Sequence, residues 1–172
     1  MIRIVFLLFV FAFISSCSSE APKEDPMPAD EAWNERLANP SELDSLTEGS
    51  TYLSVYTHIY SISQHRSHNL TATVSLRNTS KTDKIYIKSA NYFDTKGNMI
   101  NAYIDKPIYI NSMETAEIML FETDTLGGTG GNFIFDWAVK NPNNKPLFEA
   151  VMVSTIGQQG LSFMTQGVEI TP

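Results

Sequence analysis

The densest set of ligand-type side chains lies in ETDTLGGTGGN and just beyond it, where Glu122, Asp124, Thr125, Thr129, Asn132 and Asp136 all offer oxygen. Calcium takes about six to eight oxygens, and a Gly-rich turn helps a chain wrap around a cation. Gly127, Gly128, Gly130 and Gly131 would also let the main chain come close to another part of the molecule. The stretch lacks the Asp-x-Asp-x-Asp-Gly regularity of a dedicated calcium loop. An acidic loop capping one end of the fold is therefore the plainer reading, with calcium as the alternative. GGTGGN is not a phosphate loop, because no Gly-Lys-Ser/Thr follows and the next residues read as strand. Gln158 and Gln159, set between Gly157 and Gly160, offer two amides on a turn that could contact a glycan or peptide.

His58, His65 and His68 form a second constellation. Imidazole and thioether are copper ligands, but Met99, Met113, Met119, Met152 and Met164 are scattered rather than clustered. His65 and His68 fall in a loop, SISQHRSH, and could approach His58 only if the flanking segments pair as a hairpin. Copper ranks below calcium, and no cofactor is required by the sequence.

Glu149 shares an apolar strand face with Leu147, Val151 and Val153. Such a carboxylate either pairs with a cation, for which Arg77 is the candidate, or has a raised pKa suited to acid–base work. An acid–base enzyme would need Asp136 or Glu122 as the second carboxylate. A nucleophile is not evident: there is no Gly-x-Ser-x-Gly elbow, and the single cysteine is Cys17. The ion pair is the simpler alternative, and the chain reads as non-catalytic.

These residues must be positioned by one domain, since 172 residues leave room for little more. The formal charge of -7 argues against nucleic acid as a partner, because phosphate binding needs clustered Lys and Arg.

Residues 1–16 read as a secretory signal. The apolar run from Ile4 to Ile14 is too short to span a bilayer, which takes about 20 residues. It ends in Ile14-Ser15-Ser16-Cys17, which resembles the lipobox of bacterial lipoproteins, although Leu usually stands at the position of Ile14. The resemblance implies that Cys17 is diacylated, palmitate-type chains anchoring the protein to a membrane. Ser18 after the cysteine implies the outer membrane in a Gram-negative envelope. Residues 17–48 read as an acidic, Pro-rich, disordered tether with Pro22, Pro26 and Pro28. Within it, Glu31 to Ala38 suits a short helical turn that Pro40 would stop, and Trp33 either docks on the domain or is exposed.

From Thr51 the apolar pattern has period two. Leu70, Ala72, Val74 and Leu76 alternate with Thr71, Thr73, Ser75 and Arg77, as in a half-buried antiparallel strand. Phe133, Phe135 and Trp137 share one strand face, and Asp94 to Asn98 reads as a tight hairpin loop with Gly97 in a left-handed position. In TYLSVYTHIY, Leu53, Val55 and Ile59 alternate with Tyr52, Tyr56, His58 and Tyr60, and Pro107 puts IYI at a sheet edge or outside the sheet. The spacing of turns predicts, over residues 49–172, an all-β, immunoglobulin-like antiparallel sandwich of about eight strands.

VYTHIY at Val55–Tyr60, NLTATVSLRN at Asn69–Asn78, Tyr92-Phe93-Asp94 with Gly97, Glu122-Thr123-Asp124 before the glycines, Asn132-Phe133 with Trp137, and EAVMVSTIGQQGLSF at Glu149–Phe163 together resemble one bacterial family. That family is domain of unknown function 3124, made of lipoproteins and secreted proteins. The resemblance implies an exported envelope protein and no particular activity. The expectation is a lipid-anchored binding or assembly module whose partner is an envelope protein or glycan. Its contact loop would carry Glu122, Asp124, Thr129 and Asn132, joined by Gln158 and Gln159. The alternatives are a metal-binding envelope protein and a paired-carboxylate enzyme.

Overall fold

The computed structural model describes residues 33–155 and 160–171. The signal segment, Cys17 and the tether as far as residue 32 lie outside the described residues. The strands in chain order are β1 (Thr47–Ser54), β2 (His58–Ser61), β3 (Ser63–Asn69), β4 (Thr71–Arg77), β5 (Ile85–Phe93) and β6 (Met99–Ile104). They continue with β7 (Ile108–Ile110), β8 (Thr115–Leu120), β9 (Asn132–Val139), β10 (Leu147–Ser154), β11 (Leu161–Gln166) and β12 (Val168–Ile170).

Two antiparallel sheets pack face to face and do not close into a barrel, which is the immunoglobulin-like layout expected from the alternation. One sheet has the order β12-β1-β9-β5-β6, with β7 also pairing with β5; the other has the order β11-β10-β4-β8. The strand count exceeds eight because β7 and β12 are three-residue edge pieces and β2–β3 is a separate two-stranded hairpin.

The core lies where the inner faces meet. Leu53, Ala72, Val74, Leu76, Ile87 and Ala150 are fully buried there. Phe133 stacks on Phe135 at 5.3 Å between ring centroids, and Phe135 stacks across the core on Phe148 of the opposite sheet at 4.3 Å. Aromatic pairs at this spacing add to the area they bury.

Two segments differ from the sequence reading. TYLSVYTHIY is not one strand: the Val55 N–H still bonds to the Gly131 carbonyl at 2.9 Å, in register with β9, but the chain then leaves the sheet and His58 opens β2 in a separate hairpin. SISQHRSH is not a loop, since Ser63–Asn69 is a strand paired with β2. Its residues are mostly exposed and polar, so no apolar alternation marks it.

The fold also reaches further upstream than residue 49. Trp33 is docked, only 9% exposed, and the chain after it caps the edge strand β7. There Leu37 bridges Ile108, the Ala38 N–H bonds to the Pro107 carbonyl and the Tyr109 N–H to the Arg36 carbonyl. Pro40–Glu42 then forms a 3-10 turn. Asn78, a turn residue by sequence, is buried and donates from Nδ2 to the carbonyls of Asp83, Ile110 and Asn111 at 2.8, 3.1 and 2.9 Å. It ties the β4–β5 loop to the corner where the chain leaves β7 for β8.

Candidate functional site

The Gly-rich loop runs from β8 to β9 over one end of the sandwich, and its glycines bring the backbone against that end. Thr95, in the β5–β6 turn, donates from Oγ1 to the Gly127 carbonyl at 3.1 Å and accepts from the Gly130 N–H at 3.0 Å. Gly128 has a φ of +70°, the left-handed region that favours glycine. Beneath the loop the hydroxyl of Tyr92 points at Gly127, and a β-carbon on that glycine would stand 1.7 Å from it. What the glycines approach is therefore Tyr92 and Thr95 of the same domain.

Tyr92 is buried and stacked on Phe133 at 4.8 Å. Its hydroxyl has no hydrogen-bond partner among the described residues; the neighbouring Thr57 Oγ1 is turned to the Gly128 carbonyl at 3.5 Å. Burial, and then the negative charge of Asp124, push the Tyr92 phenol far above its ordinary value. Tyr103 is raised for the same two reasons. Both phenols stay neutral at physiological pH, so neither is a ready base or nucleophile.

Beside the latched loop lies a shallow cleft of about 310 Å³, with His58 and Tyr60 of β2, Thr95 and Lys96 of the β5–β6 turn, and Leu126 and Thr129 of the loop among its walls. His58 Nδ1 is covered and has no partner among the described residues. At the cleft, apolar side chains stand in solvent, Leu126 being 68% exposed and Tyr60 61%; Phe121, 51% exposed, begins the same β8–β9 connection. Neither Leu126 nor Phe121 is singled out by sequence reasoning. The available signal was an apolar residue, Leu126, inside an otherwise polar glycine loop.

The residues proposed from sequence are not brought together as a metal site. Glu122 is exposed, and Asp124 caps its own turn by accepting the Leu126 N–H at 3.0 Å. Thr129 lines the cleft, and Asn132 opens β9. Asp136 sits further along β9, on the outer face of its sheet, where Ser50 and Ser89 donate to its two oxygens at 2.6 and 2.7 Å. The histidines are also separated. Register pairs His58 with Asn69 and Ile59 with His68, so His58 and His68 project from opposite faces of the hairpin. His65 has moved towards the tip, with Nε2 3.3 Å from Gln64 Nε2. Among the described residues no three His, Cys, Asp or Glu side chains are grouped to hold a metal.

The fold does not bring the carboxylates named from sequence together. Glu149 and Asp136 both face outward, but from opposite sheets of the sandwich. Glu122 lies beyond the end of β8, whereas Glu149 registers through Ser75 with Glu117 in its first half. Arg77 Nε lies 3.0 Å from Glu149 Oε2, an ion pair not aligned as a hydrogen bond. Gln158, Gln159 and Cys17 lie outside the described residues.

A family model described as protein of unknown function (DUF3124) matches residues 48–170. The chain belongs to this family. As a DUF3124 protein it carries the family's match from the second residue of β1 to the end of β12, which takes in both sheets, the Gly-rich loop and the cleft beside it. No curated protein matches the sequence. Among solved structures, the crystal structure of Thermotoga maritima 1070 aligns with a TM-score of 0.44 at 7% identity, covering 70% of this chain and 92% of that one.

Proposed function

We propose that this DUF3124 protein is a non-catalytic binding or assembly module of the bacterial envelope, lipid-anchored through Cys17, whose loop end engages an envelope protein. The observation that carries the reading is the latched loop. Hydrogen bonds with Thr95 and the packing of Gly127 on Tyr92 fix a backbone from which Leu126 projects into solvent beside Tyr60. Apolar groups held exposed by a rigid scaffold lose little freedom on binding, which favours a protein contact over an idle surface. A protein partner fits the cluster of exposed aliphatic and aromatic groups better than a glycan does.

The anchor and the surface are tested separately. Replacing Cys17 with Ser should abolish labelling by a fatty-acid analogue, and continued labelling would remove the anchor. A photo-cross-linking residue at position 126 should give one defined adduct in intact cells, lost on Tyr60→Ala. The same group at Glu117, on the outer face of β8, should not give it. Equal adducts from both positions, or none from 126, would remove the loop end as the contact surface.

A further inference from the structure

The outer face of the four-stranded sheet carries a connected apolar patch. Register sets Met164, Val151, Thr73 and Met119 in one row across β11, β10, β4 and β8. Val153 and Thr71 stand in the next row. Val151, Val153, Met119 and Met164 are each at least 40% exposed. The outer face of the six-stranded sheet differs, because a polar row of Ser50, Asp136 and Ser89 crosses it.

Charge borders the patch at one end of these strands. The row before it holds Gln166, Glu149, Ser75 and Glu117, and the row before that sets Leu147 beside Arg77. Two carboxylates on the face argue against a membrane surface as its occupant, since insertion would strip their water. Arg77 is underused where it stands. Its Nε lies near Glu149 without an aligned hydrogen bond, and its bonds to Thr115 and Ser75 are long, at 3.3 and 3.5 Å.

This pattern is complementary to itself. A half-turn about an axis parallel to the strands, midway between β10 and β4, lays β10 over β4 of a second copy and β11 over its β8. The rows then match: Met164 meets Met119, Val151 meets Thr73, and Gln166 meets Glu117. Glu149 comes to lie over Ser75 of the second copy, one row from that copy's Arg77, and no carboxylate faces another. A half-turn about an axis across the strands would instead set Glu149 over Glu149, Val151 or Val153. We propose that the chain forms a two-fold dimer through the outer face of its four-stranded sheet, with Arg77 and Glu149 pairing reciprocally between the copies. The proposal does not depend on the loop-end reading.

The test places a photo-cross-linking residue at position 164 of the full chain in intact cells. It should give an adduct of two copies of this chain, joined at β8 near Met119. The same residue at position 52, on the outer face of the six-stranded sheet, should not. The mass of the adduct separates it from any loop-end adduct with a different protein. Glu149→Arg alone, or Arg77→Glu alone, sets like charges against each other across the axis and should cut the two-chain adduct more than about ten-fold. Expressing the two variants together should restore it, because each copy then offers the charge that the other needs. The pair within each chain stays broken in that mixture, so recovery reports the contact between copies. If either variant unfolds, Met119→Lys carries the test, since that exposed site lies outside the ion pair and the substitution should abolish the adduct at an unchanged unfolding midpoint. Four results would each overturn the proposal: no two-chain adduct from position 164, an adduct holding only a different protein, an equal adduct from position 52, or no recovery on mixing two folded variants.

Discussion

The Tyr92 hydroxyl occupies the space that a side chain on Gly127 would need, with only 1.7 Å left to a β-carbon. Tyr92 cannot swing aside, because its ring is buried and stacked on Phe133. Gly127→Ala should therefore destabilise the domain by about 1–3 kcal/mol, the range for overpacking a filled site. Tyr92→Phe removes the oxygen and, with no hydrogen bond lost among the described residues, should be near neutral by itself. In the Gly127→Ala background it should recover most of the loss. Urea denaturation of the four proteins gives the coupling directly, and equal losses with and without Tyr92→Phe would show that this contact does not hold the loop.

Trp137 anchors the other half of the core. It is 2% exposed, its indole N–H donates to Thr51 Oγ1 at 2.9 Å, and its ring lies across Gly49 on the neighbouring strand. Trp137→Ala should cost about 3–5 kcal/mol. Thr51→Val keeps the volume but strands a buried donor, which should cost about 1–3 kcal/mol. Denaturant unfolding measures both. A loss below about 1 kcal/mol for Trp137→Ala would mean that the β9 face is not the core.

The legible parts of the fold are those where burial on one side leaves a period-two trace. In β9, Phe133, Phe135 and Trp137 alternate with half-exposed Asn132, Ile134 and Asp136, and the structure buries that set. The Asp94–Asn98 turn was legible for a local reason: Asp94 Oδ1 accepts the N–H groups of Lys96 and Asn98, and Gly97 supplies a φ of +82°. β10 is apolar at Val151 and Val153 as well as at Phe148, Ala150 and Met152, so composition marks the strand but does not say which face is inside. The structure buries the second set and leaves Val151 and Val153 exposed beside Glu149. The glycine loop was legible as a place, but its partners Tyr92 and Thr95 come from a distant hairpin, and no local pattern announces a contact made by folding. For the same reason Asp136 looked like part of the loop. It follows Asn132 closely in sequence, yet the strand carries it away to Ser50 and Ser89.

Glu114 makes the docking of the upstream segment sensitive to pH. Its carboxylate accepts the Asn111 N–H at 2.8 Å and the Arg36 guanidinium at 2.6 Å, joining the residues before β1 to the β7–β8 corner. Partial burial pushes this carboxyl up, but the Asn111 N–H and Arg36 together outweigh burial and hold it below the ordinary 4.5. A carboxyl whose folded pKa is depressed contributes stability that is fully present above the unfolded value and is lost as pH falls through the folded one. The contact should thus be intact at neutral pH and weaken below about pH 4.5. Hydrogen exchange at the Ala38 and Tyr109 amides, which bond across this junction, should accelerate there relative to the β9 amides once the intrinsic pH dependence is removed. Glu42, drawn down mainly by the Asn39 N–H and helped by Lys84, titrates in the same segment. Comparing Glu114→Gln with Glu42→Gln separates the two carboxyls. If Glu114→Gln leaves the acid-side acceleration unchanged while Glu42→Gln removes it, the 3-10 turn carries the response and the Arg36–Glu114 junction does not.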